Sequence, residues 1–544
     1  MPIKTGLKNR PNLLNCVLKY SIQYGGIMTT SAKTFFVLPL LIIALFTLLN
    51  AEQLNIDVKE HVLDNGMKIL VVENHDAPVF STIVRVKVGA VDERPGQTGL
   101  SHFLEHMMFK GTKIFGTTDY EAEENLMAQI DSIGELLMDE WRKLQDPMNY
   151  PPDSTRYKEL RDQIAKIQES QKEHIVKDEL WETYLKHGGT MLNASTGDDG
   201  TQYYVSLPSN RLELWMLMES DRFKNMVFRE FYSERDVVYE ERRMRTDNSA
   251  WGKLYEQFSA TAFTSSAYQH PVVGWASDIE SWDHELLKEY FENYYTPNNT
   301  VAVIAGDVNP EEVFSLAEKY FGDWERGPEP PRQTTFEPEQ KGERRVTVEF
   351  DANPMLLIGY HIPAAGHPDM AALDALSDIL SRGRTSRLNK SIVEEQKIAS
   401  SVSANSSFSR YPSLFTFSGT PLKGHTTQEL EDAIYAEIEK VKAEPVTTWE
   451  LQKVKNQFDA AMIKSVNSNM GMCWRLANYE AMVGDWSYIN EYWQAYKNVT
   501  TEDIMRVANQ YLKESNRTVA TLVKPDEAGD ESEGALSEKE SSSY

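Results

Sequence analysis

Between Val62 and Val88 the apolar and polar positions follow the short periods of strands. Val62 and Leu63 lead into the turn signal Asp64-Asn65-Gly66, and Met67 to Val72 (MKILVV) runs on as a buried strand, so a hairpin is predicted. Ser81 to Val88 (STIVRVKV) alternates and predicts another strand. From Gly99 the period lengthens: Leu100, Phe103, Leu104 and Met107 recur at helical steps. Val301 to Ala305 (VAVIA) reads as a strand and Asp307 to Phe321 as a capped helix. Residues 324–344, rich in Pro, Glu and Arg, carry no period and read as a linker. The pattern then begins again. Arg345 to Phe350 and Met355 to Tyr360 predict strands and Met370 to Leu380 a helix, and Ser515 to Val523 (SNRTVATLV) echoes Asn298 to Ala305 (NNTVAVIA). A two-fold internal repeat predicts an α+β fold of two homologous halves, each a mainly antiparallel sheet packed with helices. The halves are expected over 52–323 and 345–525.

One block interrupts the first half. Residues 125–186 are highly charged, with helical spacing at Leu137, Trp141 and Leu144 and again at Leu160, Ile164 and Ile167. Asp146-Pro147 and Pro151-Pro152 break it in the middle, which predicts a helical hairpin. It is read as a solvated structural insertion in preference to a substrate arm.

Both ends stand outside the repeat. An apolar run from Phe35 to Leu49, with Lys33 before it and Asn50-Ala51-Glu52 after it, has the form of a secretory signal peptide. It is shorter than the roughly 20 residues of a membrane span. Leu49 is a poor residue for the approach to a cleavage site, which leaves an uncleaved membrane anchor as the alternative. Residues 1–51 are therefore assigned to an N-terminal extension and signal, with Met1 or Met28 as the start, and the chain is expected in the periplasm or outside the cell. Residues 526–544 are acidic and serine-rich and are expected to be disordered.

Composition narrows the function classes. The chain has 544 residues, 41% of them hydrophobic, enough for two full cores. Acidic residues outnumber basic ones 82 to 56, giving a net charge of -26, and no long basic tract is present, so nucleic acid is set aside as a partner. Of the two cysteines, Cys16 and Cys473, only Cys473 would outlast removal of the signal, so no disulfide framework is expected.

The chemistry is concentrated in Gly99 to Phe109 (GLSHFLEHMMF). His102 and His106 are one helical turn apart and project from one side, with Glu105 beside them. Two imidazoles suit Zn²⁺, and a neighbouring carboxylate can take a proton from metal-bound water. This is the H-x-x-E-H order of inverted zinc-peptidase helices. Catalytic zinc usually has three protein ligands. Ser233 to Arg242 (SERDVVYEER) offers Glu234 and Glu241, two helical turns apart on one face, with Val237 and Val238 read as the apolar side. One carboxylate would bind metal and the other would orient a histidine or water behind it.

The chain resembles the insulinase/pitrilysin family of zinc peptidases, in its half-length branch related to mitochondrial processing peptidase. The matching pieces are Gly99 to Thr112 (GLSHFLEHMMFKGT), Asn193 to Thr196 with Asp199, Thr201 and Tyr203, Glu234 to Val238 with Glu241, His270-Pro271 with Gly274, and Tyr295 to Asn299. They span about residues 55–525, interrupted by the insertion. The resemblance implies one Zn²⁺ per chain on His102, His106 and Glu241, Glu105 as the base, Glu234 behind the ligands, and Asn193-Ala194 in an edge strand that pairs with the substrate backbone. It implies a zinc endopeptidase acting on peptides or unfolded segments in a chamber. The alternative is a non-catalytic peptide-binding or structural subunit.

In relatives of this kind that work as pairs or fused halves, the second half supplies an Arg and a Tyr that bind the substrate carbonyl. Val393 and Ser400 stand in those positions here, and the Met370 to Leu380 helix carries no His-Glu-His set. A homologous chain carrying the missing pair, or a homodimer, is therefore expected as partner.

Overall fold

The computed structural model describes residues 54, 56–148, 153–331 and 333–525. The signal, its anchor alternative and the acidic tail lie outside the described residues.

The first sheet contains β1 (Val58–Val62), β2 (Lys68–Glu73), β3 (Val79–Val86), β4 (Thr190–Gly197), β5 (Gly200–Pro208) and β6 (Thr300–Gly306), in the order β1-β2-β6-β3-β5-β4. The second contains β7 (Arg344–Glu349), β8 (Met355–Ile362), β9 (Ala399–Ser406), β10 (Ser413–Pro421) and β11 (Arg517–Val523), in the order β7-β11-β8-β10-β9. Apart from β1 the two orders are the same. Each has one parallel pair, β2 with β6 and β7 with β11, and is otherwise antiparallel. The repeat in the sequence is thus a repeat of topology, and the fold is the expected α+β one. The predicted hairpin is β1 and β2, with the Asn65 side chain donating to the carbonyls of Phe321 and Trp324 at 2.7 and 2.9 Å.

The helices that matter for the site are α1 (Leu100–Met107), α2 (Tyr120–Gln145), α3 (Thr155–Gln171), α4 (Glu179–Lys186), α5 (Phe231–Arg242) and α6 (Ala250–Ala262). Further on, α7 (Pro310–Phe321) begins at the N-cap Asn309, not at Asp307; α8 is Met370–Ser381, and α9 is Asn469–Val483. The insertion is a hairpin of α2 and α3 that starts at Tyr120, five residues earlier than the charge pattern suggests, because Asp119 caps it. It packs behind α5: Ile130, Leu137, Leu160 and Ile164 join the first core, and Arg161 pairs with Asp236 at 2.9 Å. Gly134 fits against Tyr232, whose hydroxyl would lie 1.8 Å from a Cβ there.

Two helices cross between the halves. α6, from the first, sends Leu254, Phe258 and Ala262 into a core with Val348, Leu357, Ala520 and Leu522 of the second sheet. α9, from the second, covers β3 and β6 of the first sheet. There Cys473 Sγ donates to Ser81 O at 3.3 Å, and Glu480 pairs with Lys68 and Lys87 at 2.9 and 3.1 Å. This covering is why the polar positions Ser81 and Arg85 of β3 are buried, while Thr82 faces the first core on the other side with Phe80 and Val84. All these elements belong to one unit beginning at Asp57. After α7 the chain has no helix or strand among its described residues until Arg344, yet it is fastened. Glu337 accepts from the backbone of Thr264, Ser265 and Ser266, and Gln333 donates to Val91 O.

Candidate metal centre

The helix that carries the histidines is only two turns long and would not stand alone in water. Burial and a borrowed cap hold it. Leu100, Phe103, Leu104 and Met107 are fully buried, each contributing about 1.5–3 kcal/mol, and Phe103 stacks on Trp282. Its N-cap is Gly99, which has no side chain to offer and sits at φ +90°. The buried Glu93 carboxylate takes that role, accepting from Gly99 N and Ser101 N, both at 2.7 Å. Burial lifts this carboxyl to about 8 against those two hydrogen bonds, so it caps the helix as a hydrogen-bond acceptor for free N–H groups and not by its charge. Gly274, at φ +85°, faces Gly99 so closely that a Cβ on it would meet Thr98 O at 2.3 Å. This close approach ties the His270 to Gly274 segment to the start of α1.

On α1, the rings of His102 and His106 are 4.7 Å apart. Glu241, on the last turn of α5, points Oε2 at both: it lies 3.6 Å from His102 Nε2 and 3.4 Å from His106 Nε2. Two ligand atoms on a tetrahedral ion with bonds of 2.0–2.1 Å are about 3.3 Å apart, so this spacing fits a zinc ion. Among the described residues, these three form the one group of His, Cys, Asp or Glu side chains whose ligand atoms converge within 4.8 Å. Glu240, one residue away, turns outward to Arg243 at 2.8 Å.

Glu234 stands behind His106. Its Oε1 accepts from His106 Nδ1 at 2.8 Å, and its Oε2 pairs with Lys110 Nζ at 2.6 Å. That hydrogen bond leaves Nε2 as the nitrogen facing Glu241 and orients the ring. His102 is less constrained, since its Nδ1 is buried without a partner among the described residues.

The charges follow. Burial and the nearby His106 push His102 down to about 4, so it is neutral and able to donate a lone pair. Burial works against a charge on His106 too, but the hydrogen bonds to Glu234 and Glu241 outweigh it and lift this ring to about 9. Burial likewise opposes the charge on Glu234, yet His106 and Lys110 bring it down to about 2. Glu241 is lowered as well, against burial, by His106, His102 and Arg245.

Glu105, on the same helix as the histidines, lies close enough to His106 and Glu241 to feel their charges. Thr196 Oγ1, on β4, donates to Glu105 Oε2 at 2.5 Å. Burial raises this carboxyl above its ordinary value, against that hydrogen bond, as suits a general base working near neutral pH. β4 is the edge of the first sheet, so no strand among the described residues pairs with its outer side. Asn193 is exposed there, and its Oδ1 accepts the Ala194 N–H at 2.9 Å. Strand and base are thus joined through Thr196, three residues beyond Asn193.

One expectation is corrected. Val238 is buried as the apolar side of α5, but Val237 is 51% exposed. Neighbouring residues on a helix are about 100° apart, and Val237 falls on the face of Glu234 and Glu241. It lines a cavity of about 260 Å³ with Phe109, Lys110 and Glu234. The sequence reading also missed Glu93, Lys110 and Arg245 as parts of the site. Lys110, one turn past His106, had a positional signal. Glu93, in a loop before the helix, had none.

Fold and donor set together define a candidate metallohydrolase, and comparison with known proteins narrows the class. A family model described as insulinase (peptidase family M16) matches residues 68–133, and one described as the peptidase M16 inactive domain matches 281–458. The zinc protease PqqE of Helicobacter pylori is 30% identical over 467 residues, covering 85% of this chain and 91% of that protein. An uncharacterized zinc protease of Bacillus subtilis, YmxG, is 24% identical over 462 residues, covering 84% and 96%. A protease structure from Helicobacter pylori superposes with a TM-score of 0.72 at 27% identity, over 86% of this chain and 100% of that one. The first half of the periplasmic protease PqqL of Escherichia coli has the same fold, with a TM-score of 0.63 at 18% identity over 88% and 95%. The chain belongs to the insulinase (M16) peptidase family.

Proposed function

We propose that this chain is a zinc-dependent endopeptidase that hydrolyses peptides or unfolded segments. The observation that carries the reading is the convergence of His102 Nε2, His106 Nε2 and Glu241 Oε2 beside a carboxylate, Glu105, tied to an open sheet edge. One Zn²⁺ on those three ligands would polarise the scissile carbonyl and lower the pKa of a water. Glu105 takes the proton from the attacking water and passes it to the leaving nitrogen. The free edge of β4 pairs with the substrate backbone around Asn193 and Ala194, which gives affinity with little reading of side chains. Glu234 and Lys110 keep the His106 ring turned toward the centre.

The test is Glu105→Gln, assayed by digestion of a peptide library and by metal analysis. Turnover should fall by about 10²- to 10⁴-fold with zinc retained. Equal turnover in both proteins would reject the role of Glu105. No turnover in either, with zinc bound, would favour a non-catalytic peptide-binding or structural subunit.

Two further parts belong to this reading. Val393 and Ser400 supply neither guanidinium nor phenol, so a homologous chain carrying Arg and Tyr there would complete the site; a second copy of this chain, the alternative partner, would bring the same Val and Ser. The mature chain assayed alone should be weakly active and gain activity with such a relative; full activity alone would reject the relative. Residues 35–49 direct export to the periplasm or the outside, whether cleaved or kept as an anchor. Among the described residues no helix is long and apolar enough to cross a membrane.

A further inference from the structure

After α5 the chain widens into a π-helical turn, Arg243–Asp247, a kind of turn that is frequent at functional sites. Arg245 lies in this turn, four residues after Glu241. Its guanidinium is 2.8 Å from Glu241 Oε1, the oxygen that does not face the histidines. The two oxygens of Glu241 are therefore divided, Oε2 to the imidazoles and Oε1 to a cation. Glu234 is divided in the same way, between His106 and Lys110. Glu241 and Glu234 are thus each braced by a positive side chain.

We propose that Arg245 is a positioning residue that holds Glu241 to one-oxygen coordination of the metal, leaving room for water and substrate; this rests on the zinc-site reading above. A carboxylate with both oxygens free can swing to bind an ion through two atoms and fill the position that a catalytic site keeps open. With Oε1 fixed by a charged hydrogen bond, that swing is opposed. The competing explanation is an ordinary exposed Glu–Arg helix pair, worth a few tenths of a kcal/mol. The chain contains its own control for that. Arg243 makes a pair of the same length, 2.8 Å, with Glu240, both well exposed and turned outward from the metal ligands although next to Glu241 in the chain.

The experiment compares Arg245→Ala, Arg245→Lys and Arg243→Ala in the mature chain. Zinc affinity is read by competition with a chromogenic chelator, and coordination by the visible absorption of the cobalt-loaded proteins. Because Arg245 is 66% exposed, its replacement should leave folding intact. Arg245→Ala should bind zinc about 10- to 100-fold more weakly, the usual effect of removing an outer partner of a metal ligand. Its cobalt bands should weaken as a second oxygen of Glu241 enters the coordination sphere. Arg245→Lys should recover part of the affinity, and Arg243→Ala should match the wild type. Arg245→Ala matching Arg243→Ala in both readouts would overturn the inference while leaving the zinc site standing. A wild-type chain that takes up no zinc would remove the zinc site and the inference with it.

Discussion

His106 is the residue on which the site's two organising interactions meet. In the metal-free protein it donates Nδ1–H to Glu234 and turns Nε2 to Glu241, and these contacts lift it to about 9. A proton therefore occupies the nitrogen that a zinc ion needs, and below about pH 9 metal binding has to expel it. The sign follows: zinc affinity should rise with pH, by about tenfold per unit while His106 starts protonated, and flatten as its pKa is passed. Calorimetry of zinc binding in buffers of different ionisation enthalpy counts the protons released near neutral pH. The wild type should release more than Glu234→Gln, where the ring has lost its main stabilising partner. Equal release from both would mean that Glu234 does not set the state of His106. At this scale the sequence was informative where spacing along one helix decides the outcome. His102, Glu105 and His106 fall together because i, i+3 and i+4 share a face, and Glu234 and Glu241 do so because seven residues make two turns. It misled at Val237, where an apolar residue was assigned to the buried side although the same geometry puts it with the carboxylates.

Among the elements, the short helix α1 depends on a partner from outside itself. Glu93 caps it from a loop, through two hydrogen bonds of 2.7 Å, because Gly99 lacks a capping side chain. Glu93→Ala removes the cap and leaves two buried N–H groups unmet, which should cost on the order of 2–4 kcal/mol. Chemical denaturation checks this; a variant as stable as the wild type would show that burial alone fixes the helix. The strands and helices read from the sequence were legible because their periods are long and clean, and the hairpin insertion because Pro147, Pro151 and Pro152 interrupt it. Its role was not legible. Only the packing of Gly134 on Tyr232, and of the hairpin core behind α5, reveals that it supports the helix carrying Glu234 and Glu241. That contact joins residues about 100 apart in the chain, and a single sequence carries no signal for such pairs.

In the whole molecule, the repeat predicted from Asn298 to Ala305 and Ser515 to Val523 is realised as two sheets of one topology. What the repeat concealed is the exchange of α6 and α9, which sets each half's helix on the other's sheet. Nothing in the periodicity of an amphipathic helix says which sheet it will cover. The exchange gives the second half, which lacks a His-Glu-His helix, a direct part in the first: α9 seals the back of β3 and β6, and β3 leads into the segment that ends at α1. The central claim remains that His102, His106 and Glu241 bind one zinc ion. Anomalous diffraction on either side of the zinc absorption edge, from crystals of the protein loaded with one equivalent of zinc, tests it most directly. The account predicts a single strong peak about 2.0–2.2 Å from His102 Nε2, His106 Nε2 and a Glu241 oxygen. A peak elsewhere in the chain, or none at these three side chains in a folded and zinc-loaded crystal, would contradict it.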